Sequence, residues 1–174
     1  MIKISRNVKI FIVVVLAIAI ALTVWWFFSY AFPTDVSIVS VGYSPTSSKG
    51  KVVGIAVKLK NNLAFPQKVY YEAGIVASGS QLSTFPLGIT WGGKCCIGNE
   101  NYDGKWVLLM PYEEFTDTLN PRMPSETSSD KCHNQGSYWK GTGTYYIGIA
   151  VTTACYGQPG WKVIDFETRT IQMI

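Results

Sequence analysis

Four cysteines carry the most reactive chemistry in the chain: Cys95, Cys96, Cys132 and Cys155. Cys95 follows Lys94, and Lys131-Cys132-His133 sets a cation, or a potential one, on either side of a thiol. Nearby positive charge lowers a thiol pKa and attracts anions, an environment that suits an oxyanion of sulfur. The competing reading is two structural disulfides, which an even cysteine number in an oxidising compartment favours. Cys95 and Cys96 are adjacent and would bond to each other only through a strained peptide. Each is better matched to a distant partner, Cys132 or Cys155, and the connectivity stays open. Closing such loops stabilises by roughly 2–4 kcal/mol each where the geometry is relaxed.

Other chemistry finds less support. Structural zinc wants spaced pairs such as C-x-x-C, and the sequence has none. His133 is the sole histidine, which excludes multi-histidine metal sites, so no metal is expected. A Ser-His-Asp triad could draw only on His133, and no nucleophile motif accompanies it. Nucleotide, haem-attachment and G-x-S-x-G signatures are missing. Glu113, Glu114 and Asp117 form a small acidic group that reads as a solvated turn. Trp91, Trp106, Trp139 and Trp161 could line a groove but read more simply as core, since each ring buries roughly 150–250 Å².

The elements that must position these groups are strands. Val53, Ile55, Val57 and Leu59 alternate with polar neighbours, as do Val69, Tyr71, Ala73 and Ile75 against Lys68, Tyr70 and Glu72. Tyr145, Ile147, Ile149, Val151 and Thr153 share a third face, and Cys155 continues it. Period-two alternation is what a half-buried sheet requires, because successive side chains point to opposite faces. Residues 36–41, 85–91, 105–110 and 162–173 are less regular candidates. Ser44 to Gly50, Asn61-Asn62 with Pro66, Gly98-Asn99 and Asp103-Gly104 supply turn chemistry. Residues 121–138 form the longest stretch without a strand pattern, and no helical stripe appears after residue 32. About seven short strands predict a mainly β fold: an immunoglobulin-like antiparallel β-sandwich.

Ahead of it, residues 10–32 contain no charge. At about 1.5 Å per residue, that run spans the roughly 30 Å hydrocarbon core of a bilayer. Lys3, Arg6 and Lys9 all precede it, which keeps the N-terminus inside. The expected layout is a cytoplasmic N-terminus over 1–9, a transmembrane signal-anchor helix over 10–32 and an extracytoplasmic domain over 33–174. A cleavable signal peptide ending at Ser29-Tyr30-Ala31 competes. The length of the run and the rings Trp25, Trp26, Phe27, Phe28 and Tyr30 at its outer end favour an uncleaved anchor in membrane lipid. Ala17 and Ala21 place two small residues on one helix face, where a neighbouring helix could approach. The formal net charge of +4 is largely the tail's, because residues 33–174 hold 12 Lys+Arg against 11 Asp+Glu. No concentrated basic face remains for nucleic acid.

Asp35-Val-Ser-Ile-Val-Ser-Val41 and residues 52–60, followed by Asn61-Asn62, resemble the opening of many extracellular immunoglobulin-like adhesion modules. A single anchor, a short all-β outer domain, Cys96-Ile-Gly-Asn99, Tyr102-Asp-Gly-Lys105, an apolar strand and Pro111 are similar to the small subunit of archaeal thiosulfate:quinone oxidoreductase, the DoxA family. That resemblance covers residues 96–111 in motif and the whole chain in layout. It implies a multi-helix partner subunit in the membrane, oxidation of two thiosulfates to tetrathionate outside it, and two electrons passed to a quinone. No catalytic motif transfers residue by residue. This chain shows no cofactor motif of its own, and one helix cannot enclose a quinone, so the quinone step falls to the partner. Lys94, Lys105, Arg122 and Lys131 become candidate cations for a dianion, and the four cysteines candidate redox thiols. The alternative is a membrane-anchored adhesion or surface-assembly protein without catalysis, working through exposed strand edges.

Overall fold

The computed structural model describes residues 6–31, 34–79, 101–126, 139–154 and 160–174, and within the helix the side chains of residues 7, 8 and 10–24. The chain divides into two compact units, 1–33 and 34–174.

The first unit is helix α1, Arg6–Ala31. Over residues 10–24 its described side chains are apolar apart from Thr23, with Ile10, Phe11, Val13, Leu16, Ile18, Ile20, Leu22 and Val24 all exposed. The Thr23 hydroxyl donates to the Ala19 carbonyl at 2.7 Å and so leaves no unmet donor on the apolar surface. Among the described residues no helix is long and apolar enough to cross a membrane. The charge-free side chains at 10–24 rise about 22 Å, short of the roughly 30 Å hydrocarbon layer. The expected 10–32 span is therefore not met within the described part.

The second unit is mainly β. Its strands are β1 (Val36–Gly42), β2 (Thr46–Ser47), β3 (Ile55–Asn61), β4 (Gln67–Val76), β5 (Tyr102–Leu109), β6 (Glu114–Leu119), β7 (Gly143–Thr152) and β8 (Val163–Met173). They form a three-stranded sheet ordered β1-β3-β6 and a five-stranded sheet ordered β2-β8-β7-β4-β5. All pairings are antiparallel except β2 with β8. Both sheets contribute to one core. Ile55, Val57, Leu59 and Leu119 come from the smaller sheet; Val69, Tyr71, Ile75, Tyr145, Ile147, Ile149, Val151 and Ile171 come from the larger. Full burial of a Val, Leu or Ile is worth about 1.5–3 kcal/mol. The Lys58–Glu114 pair at 2.6 Å on the outer face is half-exposed, and such pairs are worth about 0–1 kcal/mol. Strand β3 is thus held by its inward row, not by its charges.

Charged side chains close the two seams between the sheets. A register shift between Ile38 and Ser40 puts a bulge in β1, and the Ile38 amide donates across to Asp165 Oδ2 on β8 at 2.7 Å. At the other seam Lys105 Nζ on β5 meets Asp117 Oδ2 (2.7 Å) and the Thr118 carbonyl (2.9 Å) on β6, while the Asn120 amide donates to Asp103 Oδ2 at 2.7 Å. Buried Asn61 ends β3. Its Nδ2 donates to the Phe65 and Met110 carbonyls, both at 2.9 Å, and its Oδ1 accepts from the Leu63 amide at 3.0 Å. One side chain thereby fixes the β3–β4 turn against the end of β5.

Several expectations are corrected. Glu114 and Asp117 lie in strand β6, not in a turn. Asp117 stands on the inward row between Phe115 and Leu119, so its carboxylate breaks the apolar alternation that would have marked the strand. Asp103-Gly104 lies inside β5, not at a tight turn. Glycine is required there because the Tyr70 ring packs over it, and a Cβ would overlap the Tyr70 hydroxyl. The segment from Ser44 to Gly50 contains the short strand β2. Trp106 is 44% exposed on the outer face, not core. The candidate strand at 85–91 and residues 127–138 of the long loop lie outside the described residues.

Candidate functional site

The second half of strand β5, Trp106 to Leu109, is apolar on both faces. Val107 and Leu109 point into the core, while Trp106, Leu108 and Met110, just past the strand end, are 44%, 58% and 54% exposed. The inward row satisfies the fold, and the outward row is left over. Trp106 is the best anchored of the three. Its ring lies 5.4 Å from that of Tyr70, tilted by 59°, and Lys68 Nζ sits 5.0 Å from its centroid. Offset aromatic contacts and cation–π pairs of this kind hold a ring in place while leaving one side to solvent.

β5 is also a sheet edge. It pairs with β4 in unbroken register from Gln67↔Leu109 to Gly74↔Tyr102, and among the described residues no strand pairs with its other side. An edge presents unpaired N–H and C=O groups, and proteins blunt such edges with bulges, charges, prolines or shortness. The other three edges are blunted. β1 is bulged, β2 has two residues, and β6 carries Glu114 and Asp117 in six. β5 also carries two charges, Asp103 and Lys105, both engaged at the β6 seam, so its charge-free stretch is Trp106–Leu109, and Pro111 comes only after the strand. Edge amides, carbonyls and an alternating apolar row are what an added strand reads.

Behind this edge, Glu72 on β4 is 5% exposed. Burial pushes its carboxyl up to about 8, so it is protonated and uncharged at neutral pH. Its neighbour Tyr70 is also buried, and burial, then the proximity of Glu72 and Asp103, raises the phenol. Asp117 is the opposite case. The Lys105 ammonium, then the Tyr71 hydroxyl at 2.5 Å, hold its carboxyl down at about 2.

The sequence candidates are placed as follows. Lys105 is engaged with Asp117 and Thr118. Arg122 Nη1 donates to the Gly50 carbonyl at 3.3 Å, and its backbone bridges to Val52. The two are held by different partners. Cys95, Cys96, Cys132, Cys155, Lys94, Lys131 and His133 lie outside the described residues. Among the described residues no group of His, Cys, Asp or Glu could hold a metal ion. The exposed outer row of β5 is the feature that sequence reasoning missed. A clue was present in the alternation of Trp106, Leu108 and Met110, but Val107 and Leu109 hide it, because both rows are apolar.

No family model matches the chain, and no curated protein does. Among solved structures it is similar to the Pseudomonas fluorescens alkylpurine DNA glycosylase AlkC bound to DNA containing an abasic site analog. The identity is 10% and the TM-score 0.49, over 85% of this chain and 33% of that one. It is also similar to a β-glucosidase from Listeria innocua in complex with isofagomine (11%, TM-score 0.47, 80% and 16%). A third is a CARDB domain from Pyrococcus furiosus in complex with di-metal ions (14%, TM-score 0.41, 82% and 88%). The chain spans a third or less of the two enzymes. These likenesses are too distant to assign an activity or a ligand.

Proposed function

We propose that the chain is a membrane-anchored, extracytoplasmic subunit that works through protein contacts of an immunoglobulin-like β-sandwich. The exposed row Trp106, Leu108, Met110, on and just past a strand that only β4 pairs among the described residues, is the observation that carries this reading. The immunoglobulin-like assignment draws support from the strand order and from Tyr145 near the start of β7. The Tyr145 hydroxyl donates to the Gly141 carbonyl at 2.9 Å and accepts from the Lys140 amide at 3.0 Å, which is the tyrosine-corner arrangement. The anchor draws support from the exposed apolar side chains described over 10–22 and from the uncharged sequence over 10–32. A helix apolar on every side needs an apolar surround.

The resemblance to the small subunit of thiosulfate:quinone oxidoreductase gives this reading its concrete form. A multi-helix partner would handle the quinone, and this chain would build the outer side, where two thiosulfates are joined to tetrathionate. A surface-assembly protein without catalysis is the second reading, favoured by the same edge. Purification of the native complex from detergent-solubilised membranes separates them. Co-purification with a multi-helix subunit and thiosulfate-dependent quinone reduction supports the oxidoreductase. Recovery in filaments or a surface layer without that subunit overturns it in favour of assembly.

A further inference from the structure

We propose that the β domain makes a lipid contact of its own: the tips of the β3–β4 and β5–β6 turns, carrying Leu63, Phe65, Met110 and Tyr112, rest in the headgroup layer of the bilayer that holds α1. The inference rests on the membrane-anchored reading above and goes beyond it.

Topology puts both turns at the end where the chain enters the domain. Val36 pairs with Asn61, and the Asn62 amide donates to the Asp35 carbonyl at 3.0 Å. The Tyr112 amide donates to the Leu63 carbonyl at 3.2 Å, which joins the two turns into one surface. Only three residues separate Ala31, the last of α1, from Asp35. Fully extended, that tether spans at most about 14 Å, so with α1 anchored this end of the domain stays within reach of the headgroups.

The surface suits a medium poorer in water than the bulk. Met110 and Tyr112 are 54% and 61% exposed, and Leu63 and Phe65 are half-buried. Tyr112 has a φ of 58°, in the left-handed region, which costs a non-glycine residue roughly 1–2 kcal/mol. With the ring mostly outside the core, little packing within the domain offsets that cost. The backbone beneath is satisfied. The Met110 amide donates to Glu113 Oε2 at 2.6 Å, the Glu113 amide to the Met110 carbonyl at 3.1 Å and the Leu63 amide to Asn61 Oδ1 at 3.0 Å. Pro66 and Pro111 bring no N–H. An added strand needs open amides, whereas lipid requires backbone groups met from within. The nearby acids are engaged too: Glu113 by the Met110 amide, and Asp35 Oδ1 by Asn62 Nδ2 at 3.0 Å. Tyrosine, apolar in its ring and polar at its tip, fits a headgroup layer.

The test uses the full chain in phosphatidylcholine vesicles. A photoreactive benzophenone amino acid replaces Tyr112 or, beyond the opposite end of β3, the 48%-exposed Val52. Irradiation should attach lipid several-fold more at 112 than at 52. Extraction with alkaline carbonate reads the anchor separately. Equal attachment at both positions, or none at 112, in a chain that resists extraction overturns the lipid contact and leaves the anchor standing. Release of the wild type by carbonate overturns both. In native membranes, attachment at 112 to a protein instead of lipid also overturns the contact. Tyr112→Gly separates the role from folding, because glycine adopts this φ freely. With the photoreactive group moved to Met110, Tyr112→Gly should lower lipid attachment while urea unfolding shows no loss of stability. Unchanged attachment, or a destabilised domain, would show that the ring serves the fold and not the membrane.

Discussion

Glu72 and Asp117 show how two carboxyls in one small domain come to titrate in opposite directions. Glu72 is buried, and burial disfavours its charged form and raises it from 4.5 to about 8. Protons are then held by the folded state and released by the unfolded one. The stability associated with Glu72 is complete below about pH 4.5 and is lost as pH rises toward about 8. Glu72→Gln, which cannot ionise, should match the parent near pH 4 and exceed it above pH 8 by a few kcal/mol, measured by urea unfolding across that range. Asp117 is held down at about 2 by Lys105 and Tyr71, so its contribution is present above about pH 3.8 and is lost as pH falls through about 2. Asp117→Asn should cost about 1–2 kcal/mol at neutral pH, the scale of hydrogen bonds to a charged group tempered by partial exposure, and nothing measurable near pH 2. The pairing was not legible in the sequence. Lys105 reads as a cation open to an anion, and its partner lies twelve residues on, on a strand of the opposite sheet.

At the scale of elements, alternation located the inward rows of β3, β4 and β7, because Val, Ile and Leu at every second position leave little choice of face. It failed where polar groups enter a buried row, as Asp117 does in β6, and where a glycine serves packing instead of turning, as Gly104 does under Tyr70. Strand β2 is too short to carry a pattern and is recognised only by its parallel pairing to β8. Tyr145 is a further case. Sequence marks it as one more inward ring, but its hydroxyl ties the approach to β7 by accepting from Lys140 and donating to Gly141. Tyr145→Phe keeps the ring and leaves those two backbone groups without this partner. It should destabilise the domain by about 1–3 kcal/mol in chemical denaturation, with little change in the spectroscopic strand signal.

At the scale of the molecule, the division into a helical unit and a β unit follows the composition, since the uncharged run stops just before the first alternating strand. The proposed orientation, N-terminus inside, rests on three cations confined to one flank of the uncharged run. A reporter fused after Ile174 should be active outside the cell, and an active cytoplasmic reporter would reverse the topology. The reactive thiols were the sharpest sequence signal, yet the described β framework reaches none of them. What it offers instead is an exposed apolar row on β5, hidden in the sequence because Val107 and Leu109 between its members are apolar too.

The parallel contact between β2 and β8 has a mechanical consequence. β2 follows the first strand of the domain, β8 is the last, and the Gln172 and Ile174 amides donate to the Pro45 and Ser47 carbonyls at 2.9 and 3.0 Å. Tension between the two ends of the domain drags these parallel strands lengthwise in opposite directions, so the bonds between them are loaded together. Pulling on the end of β5 instead peels an antiparallel edge, whose bonds are loaded one after another. In single-molecule stretching, force applied between residues 34 and 174 should therefore reach a higher rupture peak than force applied between residues 34 and 110. Equal peaks would mean that the β2–β8 contact bears no load. A domain held at one end by an anchor and gripped at the other would be clipped shut along the line of pull.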